Sequence, residues 1–257
     1  MKVENYTGTA DTFTFPHNPR TFTPALERFI DKRTFPYSFG YYGLTAPVKS
    51  RQSINLVGHF DGSTKESDYR SLAKHVNENK LKKLYFGTDK FYICLGLSIS
   101  RTHSGGRTNF IDYVANFESP FGILFGDTQR SGSNTSSEDN EGNVPTPIEK
   151  ITGTVSSGSP VTIKDGDGNG FTFTPSASGT VTINLIELLD VGSDNFFTDY
   201  LVAKISTTRQ ILASATAGKS MFLFLDPAET LNTLFTGGTV SGITSPTFFF
   251  RDGWSGD

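Results

Sequence analysis

The sequence has little sulfur and no long apolar run. It holds one cysteine, Cys94, and two methionines in 257 residues. A single thiol allows no disulfide within the chain, which argues against a stapled secreted domain. No stretch approaches the roughly 18 apolar residues of a membrane helix, and MKVENYTGTADTF lacks the apolar core of a signal peptide. We therefore expect synthesis in a cytoplasm, no membrane insertion, and a buried structural role for Cys94.

Charge is distributed unevenly along the chain. Residues 1–130 carry 17 Lys and Arg against 12 Asp and Glu, whereas residues 131–257 carry 6 against 14. The overall net charge of −3 predicts no strong affinity for nucleic acid. Two halves of opposite sign indicate two domains that meet different partners.

Aromatic residues and glycine are abundant instead. The chain contains 23 Phe and 26 Gly, and Ser and Thr are frequent. Aromatic and β-branched side chains suit a pleated sheet, while glycine suits the tight turns between strands. This composition predicts a mainly β protein.

One helix is predicted in the first half, near residues 65–79. Its apolar residues at helical spacing are Tyr69, Leu72, Ala73 and Val76. Ser63 and Glu66 form a capping-box pattern ahead of them. His75 falls on the polar side of this pattern, and we expect it to be solvated.

Strands are predicted on both sides of this helix. Residues 51–60 alternate in polarity, and LKKLYF and KFYICLGLSIS form a hairpin pattern around Gly87–Thr88–Asp89. NFIDYVANFES is a further strand. Its alternating apolar positions are Ile111, Tyr113, Ala115 and Phe117.

A polar segment then divides the chain. Residues 128–147 contain no aromatic residue and one aliphatic residue, Val144. This composition is typical of a flexible linker or long exposed loop, and we place the domain boundary at 131–147. Residues 148–257 show short strand patterns at roughly 8–12-residue spacing, which is typical of a β-sandwich or barrel.

The string ASATAGKS (213–220) fits a relaxed phosphate-binding pattern. Such a loop must lead into a helix, whose free N–H groups hold the phosphate. Here the residues after Ser220 alternate towards Pro227, and RQILASA before the loop reads as a strand. We interpret Gly218–Lys219–Ser220 as a turn, with Lys219 in solvent and an extended chain after it, rather than as a nucleotide site.

The loop DGDGNG (165–170) matches the first half of a calcium loop. The twelfth position, where such a loop needs a bidentate Glu, is Ser176, and strands flank the loop. A Gly-rich hairpin turn is the favoured interpretation, with a weak surface cation site as the alternative.

The remaining chemistry-bearing residues form no catalytic pattern. The histidines are His17, His59, His75 and His103, and none has the spacing of a zinc ligand pair. His59 and Asp61 share a strand face, but no nucleophile is implied nearby. We predict no catalytic, cofactor-binding or metal site, no cofactor, and no enzyme activity.

Residues 50–127 follow a distinctive order. INLVGHF leads into the helix ESDYRSLAKHV, the hairpin follows, and FIDYVANFESPFGILFGD contains the closing pattern F-x-x-P-F at residues 117–121. This order resembles the N-terminal domain of the distal tail protein (Dit) family of long-tailed, siphovirus-like bacteriophages. The second half, from Thr146 to FFFRDGW, is similar in layout to the family's C-terminal domain.

The resemblance implies a fold and a domain organisation. Residues 1–130 would form a tail-tube-like β-barrel or sandwich with one helix that assembles into a ring, a hexamer in the family. Residues 131–147 would be a linker. Residues 148–257 would form a galectin-like or jelly-roll β-sandwich that serves as a platform.

It also implies a structural role in the virion. The ring would join the tail tube protein to a tail hub or tip protein, carry receptor-binding proteins for host adsorption, and leave a channel for DNA passage without sequence-specific recognition. The alternative is a carbohydrate-binding sandwich that uses Trp254 or Tyr200. An anchoring role for Trp254 in the last strand is the simpler interpretation.

Overall fold

The computed structural model describes residues 1–6, 11–26, 52–78, 80–102, 109–119, 121–186, 202–205 and 208–255. Within these residues the chain forms antiparallel sheets and two helices, so the prediction of a mainly β protein is confirmed. None of the described helices is long and apolar enough to cross a membrane.

The first sheet has nine strands, seven of which follow the order β2-β1-β5-β6-β7-β4-β3. Its members are β1 (Lys2–Asn5), β2 (Thr12–Thr14), β3 (Thr21–Leu26), β4 (Gln52–Asp61), β5 (Leu81–Tyr85), β6 (Lys90–Thr102), β7 (Phe110–Ser119), β8 (Leu124–Gly126) and β21 (Gly253–Trp254). The predicted strand at 51–60, the hairpin and the strand after it are confirmed as β4, β5–β6 and β7.

The first sheet is curved. Seven strands laid flat would hold β2 and β3 about 29 Å apart. The seven Cα steps from Thr14 to Thr21 reach at most about 25 Å. Because the two outer strands are joined by this short connection, the sheet must curve.

Helix α1 (Lys65–Asn77) covers the inner face of this curved sheet. Leu72 and Val76 are buried among the inward residues of β4 and β7, whose alternation the sequence predicted correctly. The predicted capping box is wrong, because the N-cap is Thr64 and it makes no side-chain cap hydrogen bond.

His75 is buried rather than solvated, which corrects the sequence prediction. Its side chain is 1% exposed. Strand β2 lies over this end of the helix and places the Phe13 ring 6.5 Å from the imidazole. A helical pattern alone does not reveal that a distant segment covers its polar side.

The second half of the chain forms a two-sheet sandwich. A six-stranded sheet consists of β9 (Arg130–Gly132), β11 (Lys150–Val155), β14 (Gly179–Asn184), β15 (Val202–Ile205), β16 (Thr208–Ile211) and β20 (Ile243–Phe250). A four-stranded sheet consists of β12 (Val161–Lys164), β13 (Gly170–Phe173), β17 (Ala213–Ser214) and β19 (Thr239–Ser241). One large apolar cluster that includes Ile151, Phe171 and Phe248 forms its core.

Two short elements complete the sandwich. Strand β10 (Thr146–Pro147) pairs with β18 (Phe224–Leu225). Helix α2 (Leu231–Leu234) begins with a true capping box, in which Thr230 and Thr233 bond reciprocally. This helix was not predicted, because four residues are too few to show helical spacing.

The segment 131–147 is built into the structure, which differs from the exposed linker or loop that the sequence predicts. Asn140 is fully buried. Its amide donates to the carbonyls of Val144 and Leu225, and its oxygen accepts from the backbone of Gly142 and Gly253. The polar side chain of Asn140 thus satisfies backbone groups of three segments rather than facing water.

Each unit also contributes a strand to the other. Strand β9, where the first unit meets the polar segment, pairs with β20 of the sandwich. Strand β21, from the end of the sequence, pairs with β8 of the first sheet. The two units are therefore interlocked.

Candidate functional site

The Gly-Lys-Ser stretch is a turn. Lys219 is exposed, Gly218 has a φ of 78°, and no helix follows. The Ser220 hydroxyl accepts from the backbone N–H of Phe222 at 3.0 Å. The prediction of a turn with Lys219 in solvent is confirmed, although the strand after it is confined to β18. No helix N-terminus is present there to hold a phosphate.

The DGDGNG loop is a hairpin turn between β12 and β13, as predicted. The Asp165 carboxylate accepts from the backbone N–H of Asn169 at 2.8 Å and from its amide at 2.9 Å. These bonds occupy the carboxylate within its own turn. The described residues contain no group of three or more His, Cys, Asp or Glu side chains that could hold a metal ion.

The other singled-out residues are dispersed. Cys94 is fully buried, and burial raises the pKa of its thiol. The Trp254 ring lies under the Lys90 ammonium at 3.9 Å, and its backbone pairs with Leu124. His103 and Tyr200 lie outside the described residues.

The first sheet also has an outer face, opposite α1. One part of it, which we name the docked half, packs against the rest of the protein. Leu81, Tyr85, Phe91 and Ile93 of β5 and β6 contribute to it, and they are buried against Phe121, Ile123, Phe125, Val144 and Ile186. The hairpin β5–β6 is thus buried on both faces.

Charged groups surround this apolar contact. The Tyr85 hydroxyl lies 3.0 Å from Glu4 Oε1 and 2.6 Å from Asp127 Oδ1, and its single proton can be donated to either carboxylate. Burial and these two carboxylates raise the pKa of Tyr85, which keeps the phenol neutral and able to donate. The docked half therefore combines an apolar centre with satisfied polar groups at its edge.

A buried ion pair of the sandwich lies at the junction with the first unit. Arg251 Nε lies 3.2 Å from Glu149 Oε1, and the Glu149 side chain is 2% exposed. Gln129 donates to the other carboxylate oxygen at 2.7 Å. Arg251 also donates to the backbone carbonyls of Gly126 and Asp127. Burial raises the pKa of Glu149, while the Arg251 charge opposes that shift.

The other part, which we name the open half, is formed by residues 53–61 of β4, 98–100 of β6 and 110–118 of β7. Its outward side chains are Ser53, Asn55, Val57, His59, Asp61, Ser98, Ser100, Phe110, Asp112, Val114, Asn116 and Glu118. Each is exposed or half-buried. Neither of its valines belongs to a buried apolar cluster of the described residues.

A ladder of hydrogen bonds crosses the centre of the open half. Asn55 donates to Asn116 at 3.0 Å, and Asn116 donates to Ser98 at 2.9 Å. At one end the rings of His17 and His59 stack at 5.7 Å, and His17 lies 3.1 Å from Asp61. The sequence placed His59 and Asp61 on one face correctly but gave no sign of this surface, because polar alternation looks the same on any half-buried strand.

Two solved phage structures are similar to the chain over nearly its whole length. The Dit protein of phage SPP1, described as a paradigm of the hub adsorption apparatus in phages infecting Gram-positive hosts, is 11% identical with a TM-score of 0.44. The match covers 98% of this chain and 99% of that one. A chain of the phage P2 baseplate, in its activated conformation with Ca, is 10% identical with a TM-score of 0.47, over 98% and 97% of the two chains.

Both similar structures are phage structural components rather than enzymes, so the predicted likeness to a distal tail protein is found. No protein-family model matches the sequence, and no curated protein sequence matches it. Similarity at this level states what the chain resembles and assigns no function by itself.

Proposed function

We propose that this protein is a structural component of a phage tail tip. Its first unit, residues 1–130, assembles with further copies into a ring that continues the tail tube. Its sandwich, residues 148–257, is a platform on which a tail hub or tip protein and receptor-binding proteins dock. The ring leaves a channel for DNA.

The observation that carries this proposal is the order of elements in the first unit. The sequence resemblance required a strand, one helix, a hairpin and a long closing strand. The chain forms β4, α1, β5–β6 and β7 in that order, on one curved sheet. A β-sandwich follows, as the same resemblance required.

Ring formation has a physical rationale in the first sheet. Among the residues that the structure describes, β2 and β3 are the outermost strands of this sheet, and each pairs with a neighbouring strand on one side. Unpaired strand edges promote association, and a closed ring protects every edge equally. Six copies are the number that the family resemblance implies.

The test is negative-stain microscopy of the purified full chain, together with a mass measurement by light scattering. We expect a closed ring with a central hole and a mass of six chains. A monomer at every concentration, also in the presence of the tail tube protein, would contradict the proposal. A closed ring with another number of subunits would keep the role and correct the stoichiometry.

The carbohydrate-binding alternative gains no support from Trp254. A sugar-stacking platform needs an open aromatic face, and the Lys90 ammonium lies over this ring. Specific binding on a glycan array by the full chain would revive the alternative.

A further inference from the structure

Lys82 is a buried lysine on the inner face of the first sheet. In the LKKLY sequence of β5, Lys82 lies on the same side of the strand as Leu84, and its side chain is 0% exposed. Of the lysines whose side chains the structure describes, it alone is buried. A charged lysine is rarely buried completely, because the loss of hydration is costly. The contacts of its amine therefore identify what the burial serves.

Two side chains contact the Lys82 amine. The Nζ atom lies 2.5 Å from Glu78 Oε2 and 2.6 Å from Asn5 Oδ1. Glu78 is the C-cap residue of α1, and Asn5 ends β1 directly opposite Lys82 in the β1–β5 pairing. The apolar cluster that includes Val3 and Val76 fills the same side of the sheet. One helix and two strands thus bring an amine, a carboxamide and a carboxylate together in the folded chain.

These three groups are the complete set of reactants for an amide bond. An amine is a nucleophile, the carbon of a carboxamide is an acyl donor whose leaving group is ammonia, and a carboxylate carries protons. Fixed positions favour such a reaction strongly, since they give effective concentrations of about 10⁵–10⁸ M. An ordinary buried ion pair would need Lys82 and Glu78 alone, and the amide of Asn5 at the same nitrogen is what adds a reaction.

We propose that Lys82 and Asn5 form an isopeptide bond that links β5 to β1, with Glu78 as the catalytic proton carrier. The Lys82 ammonium gives a proton to Glu78, and the lone pair of Nζ attacks Asn5 Cγ. The Nζ–Cγ bond forms, and Glu78 passes the proton to Nδ2, so that the Cγ–Nδ2 bond breaks and ammonia leaves. A second proton from Nζ follows through Glu78 and converts the ammonia to ammonium. Nothing is oxidised or reduced, and Glu78 ends as a carboxylate.

The charges of the site suit this reaction. The hydrogen bond from Lys82 lowers the pKa of Glu78 although burial opposes that shift, so the carboxylate is ionised and accepts the first proton. The product is a neutral amide, which removes a buried charge. Glu78 keeps the Lys74 ammonium at 4.0 Å from its other oxygen. Both Glu78 and Asn5 are half-buried, so the released ammonium reaches water.

The bond suits a chain that cannot form a disulfide within itself. The thiol of Cys94 is alone and buried, whereas amide formation needs no oxidant and proceeds in a reducing compartment. Strand β1, with β2 beyond it in the sheet, becomes fixed to β5 covalently. The Lys82 charge is lost, but burial remains the main cause of the lowered pKa of His75. The inference goes beyond the proposed function and does not depend on it.

Intact-mass spectrometry and peptide mapping of the full chain test the bond. After prolonged incubation in the folded state, we expect a mass below that of the sequence by one ammonia, about 17 Da. Trypsin should release a branched peptide in which residues 3–20 are joined to residues 81–83, because it does not cleave after a linked Lys82. The full mass with separate peptides would overturn the proposal. A lighter chain without the branched peptide, as succinimide formation at Asn169 would give, would overturn it too.

Three variants separate the roles of the three side chains. Lys82→Arg removes the nucleophile and Asn5→Ser removes the acyl donor, so both should keep the full mass. Glu78→Gln keeps both reactants and should slow the linkage about a hundredfold or more. Lys83→Arg, at the next position on the other face of β5, is the matched control and should link as the wild type does. Linkage at an unchanged rate in Glu78→Gln would contradict the role of Glu78. Circular dichroism checks that each variant is folded, and the wild-type peptide map decides the proposal where a variant is not.

Discussion

The docked and open halves lie on one face of one sheet and share strand β6, yet their chemistry differs. The docked half presents Tyr85, Phe91 and Ile93 to the rest of the protein. The open half presents amides, hydroxyls and carboxylates to its surroundings. The comparison shows that one sheet face can join two units at one end and remain available at the other, with the change in side chains accompanied by an irregularity of β6 between Gly96 and Ser98.

Substitution of one phenylalanine at each half should show most directly how much each half contributes to stability. Phe125, which packs against the docked half, is fully buried, whereas Phe110 in the open half is 38% exposed. Phe125→Ala should lower the free energy of unfolding by about 3–5 kcal/mol, because it leaves a cavity. Phe110→Ala should cost less than about 1 kcal/mol. Denaturant unfolding measures both free energies. Equal losses of stability would mean that the two halves do not differ in burial as described.

Substitution of two arginines, Arg251 in a buried ion pair and Arg101 in an exposed one, should give the next largest difference in stability. Arg251→Ala leaves the Glu149 carboxylate buried without its partner and should cost about 3 kcal/mol. Arg101→Ala removes a pair whose side chains are 30% and 51% exposed and should cost less than about 1 kcal/mol. A small effect of Arg251→Ala in thermal or denaturant unfolding would mean that strand pairing and apolar contacts hold the units together without this ion pair.

His75, on the inner face of the first sheet, should make the stability of the protein depend on pH. Burial, followed by the charge of Lys82, lowers the pKa of His75 in the folded protein, while the nearby Asp11 opposes the shift. The unfolded chain therefore binds the proton more readily, and stability falls as the pH drops below about 6.5, by no more than about 1.4 kcal/mol per pH unit for one group. Unfolding measured from pH 7 to pH 5 should show this loss.

A pair of variants assigns that loss. His75→Phe should flatten the pH dependence over this interval, and Ser67→Ala, at an exposed position of the same helix, should leave it unchanged. An unaltered slope in His75→Phe would locate the titrating group elsewhere.

The smallest effect is expected within the open half. Asn116→Ala removes two hydrogen bonds of the central ladder, but water reaches these groups. The loss should be about 1 kcal/mol or less, and Ser100→Ala is the control on the same face. A loss of several kcal/mol would mean that the open half contributes to the core as the docked half does.

Much of the inner face could be predicted, and little of the outer face could. The alternation of Ile111, Tyr113, Ala115 and Phe117 gave the buried side of β7 directly. Consecutive apolar residues in KFYICL could have indicated burial on both faces, but they do not say what covers the second one. That partner comes from residues 121–125, Val144 and Ile186, and no local pattern connects them.

The polar segment 131–147 shows that burial of polar residues is equally hard to predict from the sequence. Its composition is that of a solvated loop, yet Asn140 is buried because backbone groups of its own segment, of Leu225 and of Gly253 use every bond that it can make. Satisfied polar burial depends on long-range geometry, whereas polarity in the sequence indicates exposure only on average.

The exchange of β9 and β21 between the units bears on how the chain folds. Gly253 pairs with Phe125, far away in the sequence, and contacts of such separation close late and slow folding. During synthesis on a ribosome, β8 cannot pair with β21, the ninth strand of the first sheet, until the sandwich has been synthesised. The docked half is thus completed only after every strand of the sandwich has been synthesised.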